Sequence, residues 1–279
     1  MTSFLSTGVA PQILAHELAA KAVWALQQEA LLTPKPGLVD ASGSGAHTDM
    51  DVALLLKGAS SLYPAFYDMA LAAQAQALSQ RLRERLALIG RRAEASMLAE
   101  TGGVNTHKGA IWALGLLVAV CASGIERAPH RLLLQCGRLA AFADEGHRPL
   151  PTRGQALSAR YGVVGALGQA QRGFPVVRDY GLIELGRSQG LGVPHTALWQ
   201  NALMALMAQL DDTCLLGRGG FEGLRRVQHL AAMVLRHGGV QTLCGGLAYQ
   251  HLCAYCQRQQ LSPGGSADLL ALMMFLQHD

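Results

Sequence analysis

Aromatic side chains are scarce, at 5% of 279 residues, and charged residues make up only 15%. Runs alternating polar with Val, Ile or aromatic residues are missing, which argues against a sandwich or barrel. The six cysteines, at positions 121, 136, 214, 244, 253 and 256, form no paired framework. A disulfide-stapled secreted module is thereby excluded, and reduced, mostly buried thiols are expected. Cys253-x-x-Cys256 near His251 is half a zinc pattern without its second pair, and reads as helix packing. No charged start leads into an apolar run and cleavage site, so a cytoplasmic protein is expected. The most apolar stretch, Gly109 to Ile125, has 17 residues, short for a bilayer span and suited to a buried helix. A net charge of +4 and a pI near 8.8 suit a small polyanion but do not argue for nucleic acid. Repeats and low-complexity tracts are lacking as well.

What is present is alanine and leucine, within a 50% hydrophobic total. That composition predicts an all-α fold, one multi-helix globular domain over 1–279 with residues 1–10 a loose lead-in. Leu14, Leu18, Ala22, Ala25 and Leu26 mark a helix from Pro11 that stops before Thr33-Pro34. Further helices are expected after Asp51, over 70–100 with an interruption near Gly90, over 130–146, and from a Thr196 cap through Leu210. Two more flank Ser262-Pro263-Gly264-Gly265-Ser266, with Ser266 as a cap. The basic run Arg81, Arg83, Arg85, Arg91 and Arg92 reads first as a solvated face, with a role in reaching phosphates as the second reading.

Glycine-rich loops at helix ends carry the chemistry. The first, residues 33–51, holds Lys35, Asp40, His47, Asp49 and Asp51 between two helices. Pro34 and Pro36 forbid helix and central strand there, and such a dense loop is a functional candidate. The second, Thr101-Gly102-Gly103-Val104-Asn105-Thr106-His107-Lys108-Gly109, runs into the apolar helix. Glycines, a lysine and a helix start make an anion site, although the Walker A spacing is absent. The third joins Asp211-Asp212, expected at a helix C-terminus, to Gly217-Arg218-Gly219-Gly220. Carboxylates are disfavoured at that end, so a metal or arginine should offset them. Convergence of the three loops would supply oxygen ligands for Mg²⁺ and cations for phosphate, as a Mg²⁺-nucleotide requires.

The motifs T-P-K-P-G-L-V-D, G-A-H-x-D-M-D, G-G-V-N-T-H-K-G-A-I and S-P-G-G-S-A-D-L-L-A resemble the triphosphoribosyl-dephospho-CoA synthases, over about residues 12–276. The resemblance implies transfer of the 5-triphosphoribosyl group of ATP to the ribose 2′-hydroxyl of 3′-dephospho-CoA, with release of adenine. The product would be the prosthetic-group precursor for the acyl carrier subunit of malonate decarboxylase or citrate lyase. Breaking an N-glycosidic bond develops oxocarbenium character, which a carboxylate stabilises, while a base takes the hydroxyl proton. On that basis His47, Asp49, Asp51 and Asp212 are the catalytic candidates. Lys35, Asp40, Gly103, Asn105, Lys108, Arg218, Gly219 and Gly220 would bind substrate and phosphate. Asp49, Asp51, Asp211 and Asp212 would hold Mg²⁺. Four positions depart from the pattern: Cys214 and Gly217 replace an Asn and a His, and Leu167 and Gln169 replace an Arg and a Glu. A non-catalytic nucleotide or CoA binder and an ATP-dependent phosphotransferase are the alternatives. The high apolar fraction leans toward a homodimer.

Overall fold

The computed structural model describes residues 11–74, 76–144 and 151–278; the expected lead-in at 1–10 lies outside them. Among the described residues there are helices and no strands. The chain runs through α1 (Pro11–Leu31), α2 (Val52–Ser61), α3 (Tyr63–Ala73), α4 (Gln80–Glu100), α5 (Lys108–Ala122) and α6 (Pro129–Ala141). It continues with α7 (Arg153–Tyr161), α8 (Gly165–Gln171), a π-helical turn (Val177–Gly181) and α9 (Leu182–Gly190). It closes with α10 (His195–Gln209), α11 (Thr213–Arg236), α12 (Leu243–Arg258) and α13 (Gly264–Gln277).

Local chemistry sets many boundaries. Asp51, Ser79 and Thr242 accept from backbone N–H groups three residues on and open α2, α4 and α12. Thr152 and Gln155 form a capping box at α7. The expected apolar helix is α5, buried on nearly every side, and α13 is buried continuously from Leu269 to Phe275. Both pack against α1, making a helical centre enclosed by the other elements. No described helix is long and apolar enough to cross a membrane.

Several expected boundaries move. The 70–100 stretch is two helices separated before Ser79, and α4 runs through Gly90 without a break. Ser79 is the stronger signal because it caps, whereas one helical glycine costs only about 1 kcal/mol. Helix α6 ends at Ala141, and 145–146 of the expected helix lie outside the described residues. Pro194, not Thr196, precedes the first turn of α10. Ser266 lies inside the first turn of α13 rather than at its cap. Asp212 caps the start of α11 instead of ending α10, so the helix dipole favours its charge. Gly217-Arg218-Gly219-Gly220 is within α11, which breaks at Gly220 (φ 60°, ψ −162°), and so is not an inter-helix loop.

Candidate active site

The first loop is a packed element, not a solvated linker. Lys35 and Asp40 are buried, with Leu38, Val39 and Ala46. Asp40 ties the loop to itself, accepting from the Lys35 amide at 2.7 Å and the Ser42 amide at 2.8 Å. Gln200 and Tyr249 donate to the Pro34 carbonyl and fasten the loop to α10 and α12. A Cβ on Gly37 would lie 1.9 Å from the Leu261 carbonyl oxygen, so only glycine lets the two segments meet. The Lys35 ammonium is spent on Glu29 of α1, at 2.5 Å from Oε1, in a buried ion pair.

His47 joins the first loop to the end of the chain. Its Nε2 lies 2.9 Å from Ser262 Oγ, and Arg218 Nη2 approaches Nδ1 at 3.3 Å. Arginine only donates, so Nδ1 is the acceptor and Nε2–H donates to Ser262. Burial first, then Arg218, lowers the His47 pKa, with Asp49 opposing, which keeps the ring neutral. Asp49 Oδ1 is therefore a near neighbour at 3.5 Å rather than a partner in an ion pair. Arg218 also donates to the carbonyls of Ala46 and Gln260 at 3.0 and 3.1 Å. Asp51 is exposed and occupied in capping α2.

The second loop turns on Gly102 and Gly103, both at positive φ. The Lys108 amide donates to Asn105 Oδ1 at 3.0 Å, so Asn105 supplies the side-chain cap of α5. His107 is fully enclosed with Nε2 at 2.9 Å from the Leu55 carbonyl oxygen, and burial lowers its pKa. Lys108 Nζ pairs with Glu94 of α4.

Asp212 accepts at both oxygens: Oδ1 from the Cys214 amide at 2.9 Å, and Oδ2 from the Ser266 amide and hydroxyl at 2.9 and 3.1 Å. Ser266 thus positions Asp212 instead of capping α13. Burial raises the Asp212 pKa against these bonds. Asp268, two residues further, is pushed well above the ordinary carboxylate range by burial first and then by Asp212 and Glu29. Only the Ala110 amide among its neighbours opposes that. Burial favours the protonated form of both carboxyls, and more donors oppose it at Asp212 than at Asp268. Both line a small cavity of about 50 Å³ with Asp211, Gly109, Gln169 and Trp112. Asp211, partly exposed, faces Arg225 at 3.5 Å.

A second cavity, about 210 Å³, lies between α4 and α5 and is lined by Lys108, Arg83, Arg91 and Trp112. Trp112 borders both cavities, and the adjacent Lys108 and Gly109 line one each, so the chambers abut. His47 and Arg218 line neither; they form a third polar cluster, reached through the 261–268 segment. Gly219 and Gly220 serve packing and the break in α11, with Leu261 pressed on Gly219. Among the described residues no three His, Cys, Asp or Glu side chains are grouped to hold a metal.

Sequence reasoning passed over Asp268, Glu29, His107 and Trp112. The signal for Asp268 was an aspartate at the head of a long apolar run; for Glu29, an acid on the apolar face beside Leu26 and Ala30. Arg83, read as solvated, is only 8% exposed.

Among the described residues the frame is helical, with two chambers lined by charged and carboxyl side chains beside the start of α5. Residues 15–278 match the model of the family described as ATP:dephospho-CoA triphosphoribosyl transferase. A protein of Azotobacter vinelandii is 47% identical over 280 residues, covering 99% of this chain and 95% of its own. One of Pseudomonas putida is 48% identical over 264 residues, 94% of each chain, and one of Pseudomonas syringae pv. syringae is 47% identical over 268 residues, covering 95% of this chain and 92% of its own. All three bear the name "Probable 2-(5''-triphosphoribosyl)-3'-dephosphocoenzyme-A synthase". No solved structure matches the chain. The chain belongs to this family of transferases.

Proposed function

We propose that the protein transfers the 5-triphosphoribosyl group of ATP to the ribose 2′-hydroxyl of 3′-dephospho-CoA and releases adenine. The product is the prosthetic-group precursor for the acyl carrier subunit of malonate decarboxylase or citrate lyase. Family membership and the pairing of Asp212 with Asp268 in one cavity support this reading.

The C1″–N9 bond of ATP breaks and a C1″–O2′ bond forms. Asp268, whose burial favours the protonated form, donates a proton to the departing adenine. Asp212, fixed by its backbone and hydroxyl donors, is the standing negative charge that stabilises the oxocarbenium-like ribose. Asp211 at the rim receives the 2′-hydroxyl proton. The orphaned Gln169 Oε1 in the same cavity is an acceptor for a ligand N–H group.

Mg²⁺ would accompany the triphosphate as its counter-ion and neutralise phosphate charge, and among the described residues no three His, Cys, Asp or Glu side chains are grouped to hold it. Asp49, Asp51, Asp211 and Asp212 are not one ligand set here: Asp51 caps α2, and both Asp212 oxygens already accept hydrogen bonds. A homodimer belongs to the same reading.

Incubation of the protein with ATP, Mg²⁺ and dephospho-CoA, followed by chromatography, tests the reading. Adenine is expected in equal amount to the coupled product, and EDTA should stop its release until Mg²⁺ is restored. ADP in place of adenine would show phosphotransfer, and neither product would leave a binding protein.

A further inference from the structure

We infer that Arg83 of α4 receives a phosphate group of a substrate in the 210 Å³ cavity between α4 and α5. The charges lining that cavity do not balance. Arg91 Nη1 lies 2.6 Å from Asp144 Oδ2, and Lys108 pairs with Glu94. Three cations face two carboxylates, and Arg83 is the one left over. Its Nε and Nη1 are buried and donate to no partner among the described residues, and the residue is only 8% exposed. A buried guanidinium with two idle donors is costly unless something arrives to meet them.

The guanidinium is also held ready. Its Cζ sits 4.6 Å from the centre of the Trp112 ring, which fixes the plane of the donor fork. A fixed fork binds phosphate oxygens in pairs, which a lysine cannot do. Lys108 lines the same cavity while its neighbour Gly109 lines the carboxyl chamber. A phosphate chain anchored at Arg83 therefore leads toward Asp212 and Asp268 past the start of α5. Its oxygens can also draw Lys108 away from Glu94. The identity of the ligand rests on the proposed transfer reaction. The shared chemistry is a phosphoanhydride, from the triphosphate of ATP or the diphosphate of dephospho-CoA.

Arg83→Gln, Arg83→Lys and, as a surface control on the same helix, Arg92→Gln are compared with the wild-type protein. Inorganic triphosphate and pyrophosphate are titrated by calorimetry, and the KM for each substrate is measured by adenine release. Triphosphate or pyrophosphate affinity should fall at least tenfold in Arg83→Gln, less in Arg83→Lys, and not in Arg92→Gln. One KM should rise by a similar factor with kcat within threefold. A rise for ATP identifies its triphosphate, and a rise for dephospho-CoA its diphosphate. Arg83→Lys keeps the charge and the buried stem, so it carries the test if Arg83→Gln does not fold. Unchanged affinity and unchanged KM values in the Arg83 variants, or a wild-type protein that binds neither anion, overturn the inference. Should the wild type release no adenine, the transfer reading fails, while the titrations still decide the phosphate site.

Discussion

At the scale of single residues, burial acts on the carboxyls of the small cavity, most strongly on Asp268. Asp268 has a raised pKa in the folded chain, so its contribution to stability is present below the ordinary carboxylate value of about 4 and is lost as pH rises through the raised value. Asp268→Asn removes that loss. The variant should gain melting temperature over the wild type at about pH 8 and less at about pH 5, while adenine release falls by roughly 10²–10⁴-fold. His107 works in the opposite sense. Burial lowers its pKa, so stability is present above about 6.5 and is lost as pH falls and the unfolded chain takes up the proton. His107→Gln should narrow the drop in melting temperature between about pH 7.5 and pH 5.5. Asp51 caps α2 from an exposed position, and asparagine caps as well as aspartate. Asp51→Asn should keep both fold and adenine release; a large loss of turnover would give the carboxylate a further task.

Among the elements, α5 and the first two loops were legible because each carries a strong local signal. An unbroken apolar run marks α5, and Pro-x-Pro-Gly or Gly-Gly before Lys marks the loops. Helix α11 was not legible. Gly217, Gly219 and Gly220 look like a turn, yet packing of Gly219 against Leu261 holds them in a helix that breaks only at Gly220. The environment of Arg83 was equally hidden, because the cavity that encloses it is closed by α5 and Asp144, outside its own helix. The start of α5 is tight against its neighbour. A Cβ on Gly109 would fall 2.0 Å from Asp268 Oδ2, so the carboxyl must move. Gly109→Ala should cut kcat at least tenfold with little change in melting temperature, since a helical alanine gains up to about 1 kcal/mol over glycine. Gly37→Ala meets the backbone of Leu261 at positive φ, where neither side can yield. Urea unfolding should show a loss of at least about 2 kcal/mol.

Across the whole molecule, the apolar side chains are mostly gathered into one core, yet some large ones remain at the surface. Leu243 and Leu247, on one face of α12, are 81% and 58% exposed. If that face joins two copies, sedimentation should give a dimer for the wild type and a monomer for the Leu243→Glu, Leu247→Glu double variant, with the helical spectrum unchanged. The architecture also sets the order in which the site can be completed. Residues 261–268 bring the carbonyl that Gly37 rests on, the hydroxyl that engages His47, the hydrogen bonds that seat Asp212, and Asp268 itself. Every earlier part of the chamber thus waits for a segment synthesised after it. A nascent chain stopped before Leu261 has its glycine turns and most of its helices, but nothing yet to bolt them into a catalyst.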